Sequence, residues 1–421
     1  MLIAAPARWG LLVCALTVLL GHAAWSAEQP QSAAPAAAPV PERNPSPRPK
    51  TAQEAAYFIR LEDYRRQRRA YEKEANAYWD LIAEKRQLRR QRRSEGHGIG
   101  LEHYVLDQPP IYRGPSEPVP PPSLVKQRPP VEPGQPPLPV PVLADFLEQA
   151  KAHFGFAPET PAGETDFKRA YAQAAVKAGI AKDQAVRIYG FEASGNGRYD
   201  VQAGLEASGP KRRAISTALG YNQLLVTNAL SILAEHGDDV VAALRGRGKE
   251  TPERRARIEV KLGVLRQMIR FAQSVPNKWG AQDELAHTPK AWGVHALNLD
   301  IDVGPILQAQ KLADSLAFAE RKGYTARLTA AELEMMNLMG DGSGYDVISM
   351  PEAMRPKVPT ANMFQRGGYE RNTVVRKFNT VSSLLSATDA KMDGQTDLAG
   401  AKEMEAAFEA VAGPASGAPM R

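Results

Sequence analysis

Between Thr51 and Arg93 the chain contains neither proline nor glycine, and its apolar and aromatic residues recur on a four-three spacing. Tyr57, Leu61, Tyr64, Tyr71, Ala75, Tyr78 and Ile82 carry that spacing, with Arg68 interrupting it. Such a pattern lines up along one stripe of a helix, so a single long helix is predicted over 51–95. Proline then takes over. Residues 96–141 include DQPPIYRGP, EPVPPPS and PPVEPGQPPLPVP, which favour polyproline II and predict a semi-rigid linker. The helical period returns over 142–388, first in VLADFLEQAKAHF, TDFKRAYAQAAVKAGI and KDQAVRIYGFE. Its clearest instance is TPERRARIEVKLGVLRQMIRFAQSV, where Thr251 is placed to cap, Pro252 suits the first turn, and Ile258, Leu262, Leu265, Ile269 and Ala272 form one stripe. Another helix is expected from Pro305 to Arg321, and Thr329 with Glu332 spells a capping box ahead of a further apolar run. Strand signals are sparse, amounting to one hairpin within 198–218. The expected class is mainly α: a helical domain over 142–388 with a small β-hairpin, preceded by the long helix and proline-rich linkers. Residues 389–421 read as a flexible tail.

The N-terminus has a different logic. Arg8 precedes LLVCALTVLL (11–20) and then small residues, and this apolar run is about half the ~20 residues that span a bilayer. Residues 1–27 are therefore expected to be a cleaved secretory signal, and the Ala/Pro-rich stretch 28–50 a disordered tether. Cys14, the only cysteine, lies inside the signal, so the mature chain would carry no disulfide, thiolate metal site or cysteine nucleophile. Export without cysteine, in a chain rich in Ala, Arg and Pro, points to the periplasm of a Gram-negative bacterium.

Charge and motif content narrow the partners. The formal net charge is +6, and residues 60–93 hold twelve Arg or Lys against six acids. A mild positive excess on an exported protein favours anionic envelope polymers over nucleic acid. The basic helix 51–95 is expected either to pack on the main domain or itself, or to serve as a dock for such a polymer or an envelope protein partner. DAKMDGQTDLAG (389–400) has the outline of a calcium loop, but Lys391 stands at a ligand position and Gly400 where a bidentate acid is required. The seven histidines show no ligand spacing, and no metal or other cofactor is expected.

One residue breaks the apolar pattern in a way that bears on chemistry. On a helix starting near Lys182, Ala185, Ile188, Tyr189 and Glu192 share a face, which puts a carboxyl on the buried stripe just before the polar stretch ASGNGRYDVQAG. Burial disfavours the charged form, and the helix C-terminus adds to the effect. A carboxyl held protonated near neutral pH is what a general acid requires. The alternative is a glutamate that swings into solvent at a fraying helix end.

Four segments in order carry a resemblance. Glu192-x-Ser194, then Ser216 followed by Gly220-Tyr221-Asn222-Gln223-Leu224, then HALNLDIDVG (295–304), then ELEMMNLMGDGSG (332–344) with Asn337 and Gly340, together resemble the lysozyme-like lytic transglycosylases. Met336 stands where that family has a tyrosine near the acid, with Tyr345 and Tyr369 as candidate substitutes. The resemblance implies a lysozyme-like domain that cleaves the bond between N-acetylmuramic acid and N-acetylglucosamine in peptidoglycan. Glu192 would be its single catalytic acid and base, yielding a 1,6-anhydro product. Ser194, Ser216, Gln223 and Asn337 would bind the glycan, and Tyr221 would offer a stacking face. A muramidase acting on the same bond would use a second carboxylate, for which Asp200 and Glu206 are the nearby candidates. A non-catalytic peptidoglycan-binding adaptor of the same fold is the alternative from another class.

Overall fold

A computed structural model describes residues 51–124, 140–205, 213–247 and 252–412. The signal 1–27, the tether 28–50, Thr251 and Glu206 lie outside the described residues. The class is mainly α.

Helix α1 (Ala52–Ser94) starts where Thr51 accepts the Glu54 amide at 3.1 Å. Leu61, Ala75 and Ile82 of the four-three stripe are buried, and Tyr57, Tyr64, Tyr71 and Tyr78 half-buried. The stripe meets the chain's own domain. Trp79 packs on Tyr369 with ring centroids 5.5 Å apart, and Arg366 reaches Glu72 at 2.7 Å and Asn76 at 2.6 Å. Nearer the C-terminal end, Arg86 donates to the Asn362 and Phe364 carbonyls at 3.2 and 2.8 Å. The fully buried Arg89 reaches Asp346, His103 O and Asn362 O.

The linker prediction fails over 97–112. Tyr104 and Val105 are buried, and Val105 exchanges two backbone hydrogen bonds with the Asn362 carboxamide, at 3.0 and 2.8 Å. Tyr112 meets Tyr64 and Tyr71 edge-on. A short 3₁₀ turn (Leu101–His103) precedes Tyr104 and Val105, and Pro109 and Pro110 stiffen only the segment's end, so it is a strap packed beside α1 and not a spacer. Residues 125–139 lie outside the described residues.

The main domain opens with α2 (Leu143–Phe154), α3 (Glu164–Lys177) and α4 (Lys182–Glu192). After an irregular loop, α5 (Val226–Arg247) packs against α6 (Pro252–Ala272), and the five apolar residues expected on α6 are all buried. Short helices α7 (Trp279–Ala286) and α8 (Pro289–His295) lead to α9 (Gly304–Arg321), which carries Pro305 in its first turn as expected. The capping box of α10 (Ala330–Met339) forms as spelled, with Thr329 and Glu332 each accepting the other's amide. Next come α11 (Asp341–Ile348), α12 (Arg366–Arg371) and α13 (Thr373–Lys377).

The small hairpin does not form among the described residues. Isolated bridges Gln202–Leu219 and Leu219–Leu224 stand in its place. Gly204 and Gly220 have φ of +87° and +81°, and the Gln202 side chain donates to Ser216 O at 3.0 Å. Three backbone bonds still join 201–203 to 215–220, but the left-handed turns at Gly204 and Gly220 keep them from extending into paired strands.

The tail prediction also fails over 389–412, while 413–421 lie outside the described residues. Residues 381–412 form α14 (Val381–Thr396) and α15 (Ala399–Ala412), which pack on α4 and α3, so 388 is no boundary. Val381, Leu384, Met392, Ala401, Met404, Ala407 and Phe408 are buried at helical spacing, and the polar run between them masks the period. Ion pairs add to the seam: Arg187 to Asp389 and Asp393, and the buried Lys168 to Glu403 at 2.7 Å.

Gly304, the first residue of α9, shows how tightly the domain is built. A Cβ there would lie 2.2 Å from the Asn298 carbonyl oxygen, which is backbone and cannot swing aside. Gly304→Ala should therefore destabilise the fold by about 1–3 kcal/mol. A lower urea midpoint at unchanged slope is the expected result; an unshifted midpoint would count against this packing.

Candidate active site

Glu192 is the last residue of α4, and the chain turns sharply away after it. Ala193 still bonds back to Tyr189 O at 2.9 Å, then Ser194 and Gly195 take left-handed φ of 54° and 68°. The turn is clamped from the C-terminal helices. Tyr189 Oη donates to Gly197 O at 2.8 Å, and the Gly400 amide donates to Asn196 Oδ1 at 3.0 Å. A Cβ on Gly195 would meet Leu398 and the Gln395 carbonyl at 2.7 and 2.8 Å, so only glycine permits this approach. The segment expected to be a tail therefore fixes the helix end that presents Glu192.

The Glu192 side chain stays inward, as the stripe on α4 predicts, with 7 % of its surface exposed. Asn337 of α10 donates Nδ2 to Glu192 Oε1 at 3.0 Å. One turn earlier on the same face of α10, the fully buried Glu334 brings its Oε1 to 3.4 Å from the same Asn337 Nδ2, so the two carboxyl groups flank one amide. Two carboxyl groups bond only with a proton between them. Desolvation is the main cause that raises Glu192 above the usual carboxyl range, opposed by the bond from Glu334 and by Lys391 and Lys311. Glu334 is pushed well above that range by burial first and by the Glu192 charge second. The arrangement can hold a proton on a carboxyl near neutral pH and release it at the one edge that meets solvent.

The other residues that the motifs single out divide sharply. Ser194 and Gln223, with φ of 54° and 44°, are the two non-glycine residues in the left-handed region among those described. Gln223 precedes α5 and does not open it. Its Nε2 donates to Gly220 O at 2.8 Å and Val201 O at 3.2 Å, so the amide ties down its own loop. Ser216 Oγ accepts the Ala218 amide at 3.2 Å. Neither Ser216 nor Gln223 bonds to Glu192. Tyr221 offers no stacking face: it is fully buried, edge-on to Phe167, Tyr171 and Tyr189, and its hydroxyl donates to Glu164. An aromatic surrounded by three other aromatics gains more from the core than from solvent. Asp200 pairs with Arg198 in a turn.

The loop holding Ser216 and Gln223 rests on a buried polar network. Gln308 of α9 donates Nε2 to Leu219 O and Asn298 Oδ1, and its Oε1 accepts the Asn222 amide. His295 donates from Nε2 to Thr217 O at 2.8 Å; complete burial lowers its pKa to about 4, which keeps the ring neutral. HALNLDIDVG thus contributes Asn298 and His295 as scaffold for this loop.

The tyrosine expected at Met336 has no direct replacement. Met336 is fully buried and packs against Gly344. Tyr345 Oη donates to Lys322 O, and Tyr369 packs on Trp79. The polar partner of Glu192 is instead Glu334, which the motifs do not single out. A signal for it is present in the chain: an acid three residues before Asn337 on an otherwise apolar helix, LEMMNLMG, shares the asparagine's face. Among the described residues no group of three or more His, Cys, Asp or Glu could hold a metal ion, and no helix is long and apolar enough to cross a membrane.

No protein-family model, curated protein or solved structure matches the chain significantly.

Proposed function

We propose that the chain is a periplasmic lytic transglycosylase that cleaves peptidoglycan glycan strands with Glu192 as its acid and base. The observation that carries this reading is the desolvated Glu192 carboxyl at the end of α4, bonded to Asn337 from a motif 145 residues away. These are the acid and the asparagine that the sequence resemblance pairs in one site. In the reaction, Glu192 gives its proton to the bridging oxygen as the bond from that oxygen to the N-acetylmuramic acid anomeric carbon breaks, the electron pair leaving with the oxygen. The sugar's own 6-hydroxyl oxygen then bonds to the anomeric carbon and passes its proton to the Glu192 carboxylate. The product is the 1,6-anhydro sugar, and the acid is restored.

The placement of Glu334 takes it out of the role of a hydrolase's second carboxylate. A glycosidase that uses water through two carboxylates sets them about 5–10 Å apart, on either side of the sugar. Glu334 and Glu192 flank one amide from within the core, where no sugar can come between them. The fully buried Tyr221 and Met336 weigh instead towards the adaptor reading, in which the same fold binds glycan without cutting it.

Purified sacculi digested with the full chain decide among the three. Muropeptides carrying the anhydro mass are expected. Reducing-end products would replace the transglycosylase by a muramidase, and strand binding without any product would leave the adaptor.

A further inference from the structure

We propose that Glu334 is a standing carboxylic acid, protonated throughout the cycle, that donates its hydrogen bond to Glu192 and so acts as a positioning residue for it. The inference rests on the reading of Glu192 as the acid–base group and adds a partner to that site.

Three observations carry it. Glu334 is fully buried, whereas Glu192 keeps an exposed edge, so the proton that exchanges with substrate or solvent belongs to Glu192. Glu334 Oε2 is buried without a hydrogen-bond donor from any side chain or amide, and a buried carboxylate oxygen left so would be strongly destabilising. A proton on Glu334 removes the difficulty, because the group then donates to Glu192 and needs no donor itself. The Asn337 carboxamide fixes the geometry by approaching an oxygen of each carboxyl, at 3.0 and 3.4 Å. The other charged groups facing the pair are Lys311 from α9 and Lys391 from α14, which act on Glu192 in the same sense as Glu334 does. Lys311 also favours ionisation of Glu334, but burial and the adjacent Glu192 outweigh it.

The chemical consequence follows from the cycle. When Glu192 has given up its proton it is a carboxylate in a dry setting. A fixed neutral donor stabilises that anion at the moment it forms, without reorganisation. The same donor limits how far burial raises Glu192, so the acid remains able to release its proton. Glu334 itself exchanges no proton with substrate.

The test is a carboxyl titration of the full chain labelled with 13C at glutamate Cδ, comparing wild type with Glu334→Gln and Glu192→Gln. The expected result is that the last carboxyl of the chain to ionise, still protonated at neutral pH, is absent in Glu334→Gln and retained in Glu192→Gln with its midpoint lowered, because a neighbouring charge has gone. All glutamates ionised at neutral pH, or a retained proton that vanishes in Glu192→Gln instead, would overturn the assignment. Stability gives an independent readout. A group whose folded pKa is raised binds more protons folded than unfolded, so its stabilisation is complete at acidic pH and is lost as pH rises through the folded value. Wild type should therefore lose melting temperature relative to Glu334→Gln as pH rises through neutral; a pH-independent difference would indicate a merely structural glutamate. Neither readout needs catalysis. A retained Glu334 proton in a chain that releases no muropeptide would leave this inference standing and remove the proposed activity alone.

Discussion

Glu192→Gln will release no anhydro-muropeptides above background from purified sacculi, while the protein stays folded. The substitution keeps the shape of the side chain and an oxygen for Asn337 Nδ2, now 3.0 Å from Glu192 Oε1. Its new amide N–H can donate towards Glu334. Packing is therefore retained, and the melting temperature should stay close to that of wild type. What disappears is the proton. General acid–base catalysis by one positioned group contributes about 10²–10⁴-fold, and here one group serves in both steps, so a loss at or above the top of that range is expected. Mass analysis of digests under matched conditions checks it. Undiminished anhydro products from the variant would remove Glu192 from the chemistry, whatever its burial.

The second large effect is on stability and lies far from that site. Arg89→Met should lower the unfolding free energy by about 1–3 kcal/mol, because a buried acceptor is left without its donor when the guanidinium is removed. The Arg89 guanidinium is fully buried, and burial pushes its pKa down to about 10, still cationic at neutral pH. It reaches Asp346 at 3.3 Å, His103 O at 3.0 Å and Asn362 O at 3.2 Å, and lies 4.4 Å from the centre of the Tyr104 ring. One side chain thus joins α1, the strap after it, α11 and the segment around Asn362. Arg93 also contacts Asp346 and Arg86 also donates to the Asn362 carbonyl, so those two groups each keep a partner, whereas the His103 carbonyl loses its side-chain donor. Urea unfolding should show the loss, and hydrogen exchange should show residues 52–105 losing protection ahead of the helical core. A change below about 1 kcal/mol would mean that α1 is held mainly by its aromatic stripe.

Elements whose burial pattern is local are legible in the chain itself. Helix α6 carries its five-residue stripe and α10 its capping box, and α4 places Glu192 inward at its end, each because a period of 3.6 fixes which residues share a face. The order of the motifs assigns Glu192 and Asn337 to one site, with Asn337 expected on the glycan; that it bonds to Glu192 is read only from the fold. Glu334 is not legible, because an acid among methionines looks like an ordinary helix residue until another carboxyl is found beside it. The expected hairpin gives way to a loop because Gly204 and Gly220 take left-handed turns, and only the packing around Gln308 explains the second of these.

Neighbouring residues alone establish that this is a mainly helical chain, where several of its helices begin, and that Glu192 ends one of them on its apolar face. Periodicity and capping act over a few residues, so a linear reading reaches them. Contacts across the fold settle that Tyr221 belongs to the core, that residues 97–112 strap α1 to the domain, and that α14 and α15 clamp the turn after Glu192. They also set Glu334 against Glu192. Each of these joins residues distant in the chain, where the free energy of filling a groove or sharing a proton is set by the partner across the gap and leaves no periodic trace in either segment.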